Sequence, residues 1–215
     1  MFIPKAFRET RTDVLHALIC EHPFGLLITH GANGLQATSV PFLLYPDEGE
    51  RGVLRAHLAR ANPQWQDLAD GAECMVMFQG GNGYVTPSWY PSKAETHRVV
   101  PTWNYIAVEV RGAPRISEDP AWLQRLLEDL THSQESRRPD PWSVQDAPAD
   151  YIAGMLNAIV GIEIPIARLE GKWKISQNRS EADRQGVAHG MGNEGDPHAN
   201  AQLTAWMRGE KGMSA

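Results

Sequence analysis

Two hydrophobic periods alternate along the chain. In "TDVLHALICEHP" a capping Thr12 precedes apolar residues at 14, 15, 18 and 19, and Pro23 stops the run, so the spacing predicts a short amphipathic helix. The β-rich runs "FGLLITHG" (24–31), "ATSVPFLLY" (37–45) and "GVLRAHLA" (52–59) follow, separated by Gly, Asn and Asp turn signals in a meander pattern. Pro41 makes the second of them an edge or bulged strand. "RANPQWQDLADG" reads as a compact helix with Asn62 as N-cap, Pro63 at the first helical position and Gly71 beyond its end. Two strands are expected next, "AECMVMFQG" (72–80) and "GYVTPSW" (83–89), and then "VVPTWNYIAVEVRG" (99–112), which turns at Gly112-Ala113-Pro114 into "PRIS". Apolar positions 122, 123, 126, 127 and 130 mark a helix over 119–136, and "PADYIAGMLNAIV" (148–160) repeats the period. "GIEIPIARLEGKWKIS" (161–176) returns to strand, and the mostly polar, Gly-broken tail from Ser180 is expected to be peripheral.

Six to eight strands joined by short turns, with helices inserted late, suit a small closed or split barrel of α+β class. The early strands lack the crossover helices that parallel pairing requires. A chain of 215 residues that is 42% hydrophobic and 21% charged suits one large domain, or one domain with a helical appendage. No run of eighteen apolar residues exists and "MFIPKAFRET" lacks an apolar signal core, so neither a membrane span nor a secretory signal is indicated, and the cytoplasm is expected. Cys20 and Cys74 make neither a disulfide framework nor a zinc site and are expected as reduced, buried thiols, which leaves redox chemistry to a cofactor. A formal charge of −6 and a pI near 5.7 argue against broad nucleic-acid binding.

Three stretches carry candidate chemistry. In "HLARANPQW" (57–65) a strand ends beside Arg60, and the free N–H groups of the next helix open beyond Asn62. A phosphate there would gain charge-assisted hydrogen bonds from Arg60 and also from His57; the plainer reading is a solvated arginine beside an ordinary capped helix. In "LEGKWKISQNRS" (169–180) the strand alternation places Lys172, Lys174 and Ser176 on one face and Trp173 and Ile175 on the other, with Gln177 and Arg179 just beyond. A charged edge strand explains these lysines equally well, but not the polar run that follows. In "YVTPSWYPSK" and "PTWNY", Trp89 and Trp103 stand beside hydroxyls, an ammonium and the Asn104 amide, as a flat, heteroatom-rimmed ring would require, although core aromatics are the ordinary case. Together the stretches suggest a ligand with a phosphate and an aromatic ring: a flavin mononucleotide, a nucleotide or pyridoxal phosphate.

The blocks "FIPKAFRE", "HLARANPQW", "YVTPSWYPSK", "VVPTWNYIAVEVRG", "PWSVQDAPADYI" and "LEGKWKISQNRS" closely resemble the PaiB-type family, described as FMN-binding negative transcriptional regulators and related to pyridoxamine phosphate oxidase. The resemblance runs from about residue 1 to 190. It implies a six-stranded split β-barrel with C-terminal helical additions, a homodimer, and FMN in a groove between subunits. Residues 1–190 then form the FMN-binding domain, including the inserted helices at 119–160, and 191–215 a peripheral tail. By analogy with the wider fold the phosphate lies near His57, Arg60 and Asn62, and the other subunit contributes from 88–104 or from Lys172 to Arg179. The expected cofactor-binding set is thus His57, Arg60, Asn62, Trp89, Trp103, Asn104, Lys172, Lys174, Ser176, Gln177 and Arg179.

Departures from the relatives limit what carries over. Where the pyridoxamine phosphate oxidases have an Arg-rich strand and a Trp-Arg-Leu-type motif, this chain has "WNYIAVEV" and "KWKISQNR", so substrate chemistry does not transfer. No helix–turn–helix signature is present, which argues against direct DNA contact. Two functions remain open: a flavin-binding sensor or regulator that answers to a small-molecule ligand or partner, and an FMN-dependent oxidoreductase acting on a small molecule. Spacing singles out no catalytic acid or base, and none of the eight histidines (16, 22, 30, 57, 97, 132, 189, 198) sits in a metal- or haem-ligating pattern.

Overall fold

Strand alternation and Gly/Pro punctuation resolve into ten strands and seven helices among the residues that the computed structural model describes, 1–32, 34–69 and 71–210. In chain order they are β1 (Arg8–Glu9), α1 (Thr12–Glu21), β2 (Phe24–Gly31), β3 (Gly34–Pro41), β4 (Leu43–Tyr45), β5 (Val53–Ala59), α2 (Gln66–Ala69) and β6 (Cys74–Val85). There follow α3 (Ser92–Thr96), β7 (Thr102–Gly112), β8 (Arg115–Ser117), α4 (Pro120–Glu135), α5 (Ala149–Asn157), β9 (Ile159–Pro165), β10 (Arg168–Lys174), α6 (Glu181–Met191) and α7 (Ala201–Met207). One sheet has the order β1-β10-β7-β6-β2-β3 and the other β4-β5-β9-β8. The hairpin β2/β3 and the pairs β5/β9 and β8/β9 are antiparallel. No described helix is long and apolar enough to cross a membrane.

The chain divides into two compact units. The first is built from Met1–Leu18, Gln79–Val108 and the chain from Glu170; the second from Ile19–Phe78 and Glu109–Leu169. In the second unit Leu27, Leu54, Val76, Ile162 and Ile164 are fully enclosed, and Phe42 meets Phe78 edge-on at 5.6 Å. Burying such side chains removes apolar surface from water and contributes most of the driving force for folding. In the first unit Leu15, Leu18, Ile106, Val187 and Leu203 are buried, and so is Trp173, whose ring meets Trp206 edge-on at 5.5 Å. Leu203 and Trp206 belong to the segment expected to be peripheral, yet both are buried; residues 211–215 of that segment lie outside the described residues.

The local signals act as their chemistry dictates. Asn62 Oδ1 accepts from Gln64 N, and Asp119 accepts from Ala121 N ahead of Pro120, so both helix starts are capped. Pro41 closes β3, which lies at a sheet edge where a missing N–H costs nothing.

Three expectations are corrected. Residues 72–89 do not form two strands but one, β6, which ends at Val85, followed by a 3₁₀ turn at Pro87–Trp89. The glycines inside β6 admit close neighbours instead of turning the chain, since a Cβ on Gly80 would stand 2.6 Å from Ile106. Conversely, 161–176 is not one strand, because the chain turns between Pro165 and Arg168 to give β9 and β10. Cys20 is exposed, whereas Cys74 is buried; the enclosed stripe of α1 is Val14, Leu15, Leu18 and Ile19, and position 20 falls off it.

Candidate cofactor site

In the second unit, β5 carries His57 opposite Gly161 of β9, and the ring nitrogen Nδ1 is buried with no hydrogen-bond partner. Burial depresses the imidazole pKa below its ordinary value. Past the strand, Arg60 is held on three sides: Nε donates to Asn157 O at 2.9 Å, Nη2 to Ile159 O at 3.1 Å, and Nη1 to the Glu118 carboxylate. Five N–H bonds fan out from a guanidinium, so it keeps donors for an incoming anion. The turn beyond consists of a 3₁₀ segment, Pro63–Trp65, and the single-turn α2. So short a helix adds little dipole, and the side chains are left as the main determinants of anion affinity.

The turn is clamped from inside. Asn62 Nδ2 donates to Thr38 Oγ1 at 3.3 Å, Trp65 Nε1 donates to Arg60 O at 3.0 Å, and Gln64 is fully buried. Nearby, Asp67 accepts from Gln36 Nε2 at 2.6 Å and Thr29 Oγ1 at 3.3 Å.

In the first unit a cleft of about 340 Å³ is lined by Gln79, Gly80, Asn82, Trp103, Tyr105 and Ile106. Trp103 is 54% exposed and meets Tyr84 edge-on at 6.4 Å. Lys172 Nζ lies 5.1 Å from the Tyr105 ring centre, a cation–π arrangement. Lys174 Nζ donates to Thr102 Oγ1 at 2.6 Å and to the Trp103 carbonyl, which fixes the backbone beneath the exposed indole. Burial, with the neighbouring charges of Lys172 and Arg179, lowers the Lys174 pKa.

The remaining expected residues face their own unit. Asn104 and Ser176 are buried against each other, and Ser176 adopts a left-handed backbone with φ of 70°. Gln177 is folded back, its Oε1 accepting from Ile175 N at 2.8 Å and its Nε2 donating to Trp173 O. Arg179 stacks 5.0 Å above the ring of buried Tyr90. Trp89 packs on α6, where a Cβ on Gly190 would stand 2.4 Å from its indole and one on Gly186 2.1 Å from its carbonyl oxygen. Sequence reasoning missed the cleft amides Gln79 and Asn82; the available signal was the "QGGNG" run, polar residues set among strand glycines.

In the second unit Arg60 offers a cation just past the strand that carries His57, chemistry that suits a phosphate. In the first unit the cleft offers two carboxamides, each both donor and acceptor, beside two aromatic rings, chemistry that suits a flat heterocycle.

Comparison with known proteins agrees. The family model described as "Putative FMN-binding domain" matches residues 1–168. An uncharacterised protein of Emericella nidulans is 35% identical over 230 residues, covering 91% of this chain and 92% of its own. The Bacillus subtilis protease synthase and sporulation protein PAI 2 is 31% identical over 202 residues, 93% of each chain. Among solved structures, the FAD and haem binding protein of Mycobacterium smegmatis superposes with a TM-score of 0.57 at 17% identity, covering 85% of this chain and 80% of that one. A conserved hypothetical protein of Mycobacterium tuberculosis does so at 0.56 and 13% identity, covering 84% and 95%. At such identities the likeness speaks for the fold, a split barrel with helical additions. With the family model spanning residues 1–168 and PAI 2 matched over 93% of its length, this chain belongs to the PaiB-type family of FMN-binding split-barrel proteins.

Proposed function

We propose that the protein is a cytoplasmic, homodimeric FMN-binding regulator of the PaiB type, which answers to flavin or a small-molecule ligand and lowers transcription of its targets without reading DNA directly. The phosphate is taken by His57, Arg60 and Asn62. The ring is taken by the aromatic face around Trp103, with Trp89, Asn104 and the segment Lys172, Lys174, Ser176, Gln177, Arg179 as its supporting set, the paired subunits contributing to one flavin.

The observation that carries flavin binding is the match of residues 1–168 to an FMN-binding family model, and the phosphate end is supported by the Arg60 guanidinium, which keeps donors beyond its three bonds. The regulatory part is supported by the relative named for protease synthesis and sporulation, and by an acidic chain, charge −6, unsuited to wrapping DNA.

The experiment is a flavin titration of the purified protein, followed by absorbance and by quenching of flavin fluorescence, with the mass in solution measured alongside. Saturable FMN binding and a mass twice 23.9 kDa are expected. No binding of FMN would overturn the reading.

A second reading, an FMN-dependent oxidoreductase, is favoured by the 54% exposure of Trp103, which leaves the cleft open to a small molecule. Reduction of the bound flavin by NADH or NADPH, with turnover on an added acceptor, would establish it in place of the regulator.

A further inference from the structure

Gln64 is fully enclosed in the second unit, at a position where leucine would satisfy the hydrophobic pattern at no desolvation cost. Its carboxamide is completely used. Nε2 donates to Leu27 O at 3.3 Å, Thr29 Oγ1 at 3.2 Å and Gln36 O at 3.4 Å, anchoring it to β2 and β3. Because both amide hydrogens face these acceptors, Oε1 must face Thr38, whose hydroxyl donates to it at 2.5 Å. A hydroxyl has one hydrogen to give, so Thr38 Oγ1 can only accept from Asn62 Nδ2, at 3.3 Å. That fixes the Asn62 amide with Oδ1 toward the Gln64 N–H, at 3.0 Å, and closes a three-member ring of hydrogen bonds in which every direction is determined. Trp65 Nε1 on Arg60 O completes the clamp at 3.0 Å.

From this we infer that Gln64 is a positioning residue for the phosphate end of the flavin, acting through Thr38 and Asn62 to set the Arg60–Asn62 backbone before the ligand arrives. The inference rests on the assignment of the phosphate to His57, Arg60 and Asn62. Ordering a segment in advance removes that entropic cost from binding, and only the part of a ligand that touches the segment gains. FMN and riboflavin share the ring and differ by the phosphate, so the two together separate a phosphate-positioning role from a general structural one.

The test measures dissociation constants for FMN and riboflavin by fluorescence quenching in wild type, Arg60→Ala, Gln64→Leu and Thr38→Val, with a thermal melt of each. Thr38→Val breaks the ring from outside the turn and keeps the shape of the side chain, so it serves if Gln64→Leu fails to fold. Gln64→Leu and Thr38→Val should each weaken FMN by about tenfold, with riboflavin changed less than about twofold. If Arg60→Ala separates the two ligands but Thr38→Val and any folded Gln64→Leu weaken both equally or neither, the positioning role is overturned while the phosphate assignment stands. If Arg60→Ala does not separate them, the phosphate assignment fails and the inference falls with it.

Discussion

Asn104 Nδ2 donates to Ser176 Oγ across 3.0 Å, joining β7 to the turn after β10 with both side chains enclosed. Ser176 stands there with a φ of 70°, a conformation that non-glycine residues adopt only when their surroundings hold them in it.

Replacing Asn104 by Ala leaves the Ser176 hydroxyl buried without its amide partner. A loss of about 1–3 kcal/mol is expected in urea unfolding. The double variant with Ser176→Ala should lose less than the sum of the two single changes, because both remove the same bond. Strict additivity would mean the pair contributes no coupling.

Glycine to alanine normally stabilises a helix interior by about 1 kcal/mol. At Gly190 the sign should reverse, since the new Cβ would lie 2.4 Å from the Trp89 indole. Thermal melts of Gly190→Ala, alone and combined with Trp89→Leu, check this. The second change frees space, so it should shrink the penalty of the first; an alanine that raises the melting temperature by itself contradicts the packing.

His57 has a folded pKa pushed below its ordinary value of about 6.5 by burial. The unfolded chain therefore binds the proton more readily. Stability should be full above about pH 6.5 and decline as pH falls through the depressed folded value. Urea unfolding of wild type and His57→Gln across pH 7.5 to 5.5 measures it, and the variant should show the shallower decline. Identical slopes would remove His57 from the pH response.

Arg55 is held by Glu48 through two bonds of 3.1 and 2.6 Å and by Glu163 at 2.9 Å, with its guanidinium 4.1 Å above the Tyr45 ring. A planar fork is required to reach both carboxylates while lying flat on the phenol. Arg55→Lys should thus cost about 1–3 kcal/mol despite keeping the charge, read from the unfolding midpoint. A lysine variant as stable as wild type would show that charge alone suffices.

Legibility in the sequence followed locality. The Asn62-Pro63 and Asp119-Pro120 helix starts, the strand alternation of β5 and the stripe of α1 are set by neighbours within a few residues, and all formed where their patterns placed them. The glycines of β6 misled because a turn and a close approach use the same residue, and only neighbours far along the chain, such as Ile106 and Gln202, distinguish them. Nothing local marks Gln64, because its partners on β2 and β3 exist only after folding. The aromatic cluster divided for the same reason. Trp103 stayed at an open cleft, whereas Trp89 was claimed by α6 glycines nearly a hundred positions away.

The Trp173–Trp206 pair also bears on how the nascent polypeptide matures. α1 precedes most of the chain, yet its Leu15 and Leu18 belong to a unit whose buried set also includes Leu203 and Trp206, translated about 185 positions later. Until Trp206 emerges the core of that unit is incomplete, so a ribosome stalled just before Trp206 should hold a chain that chaperones capture and proteases clip more readily than one stalled well beyond it.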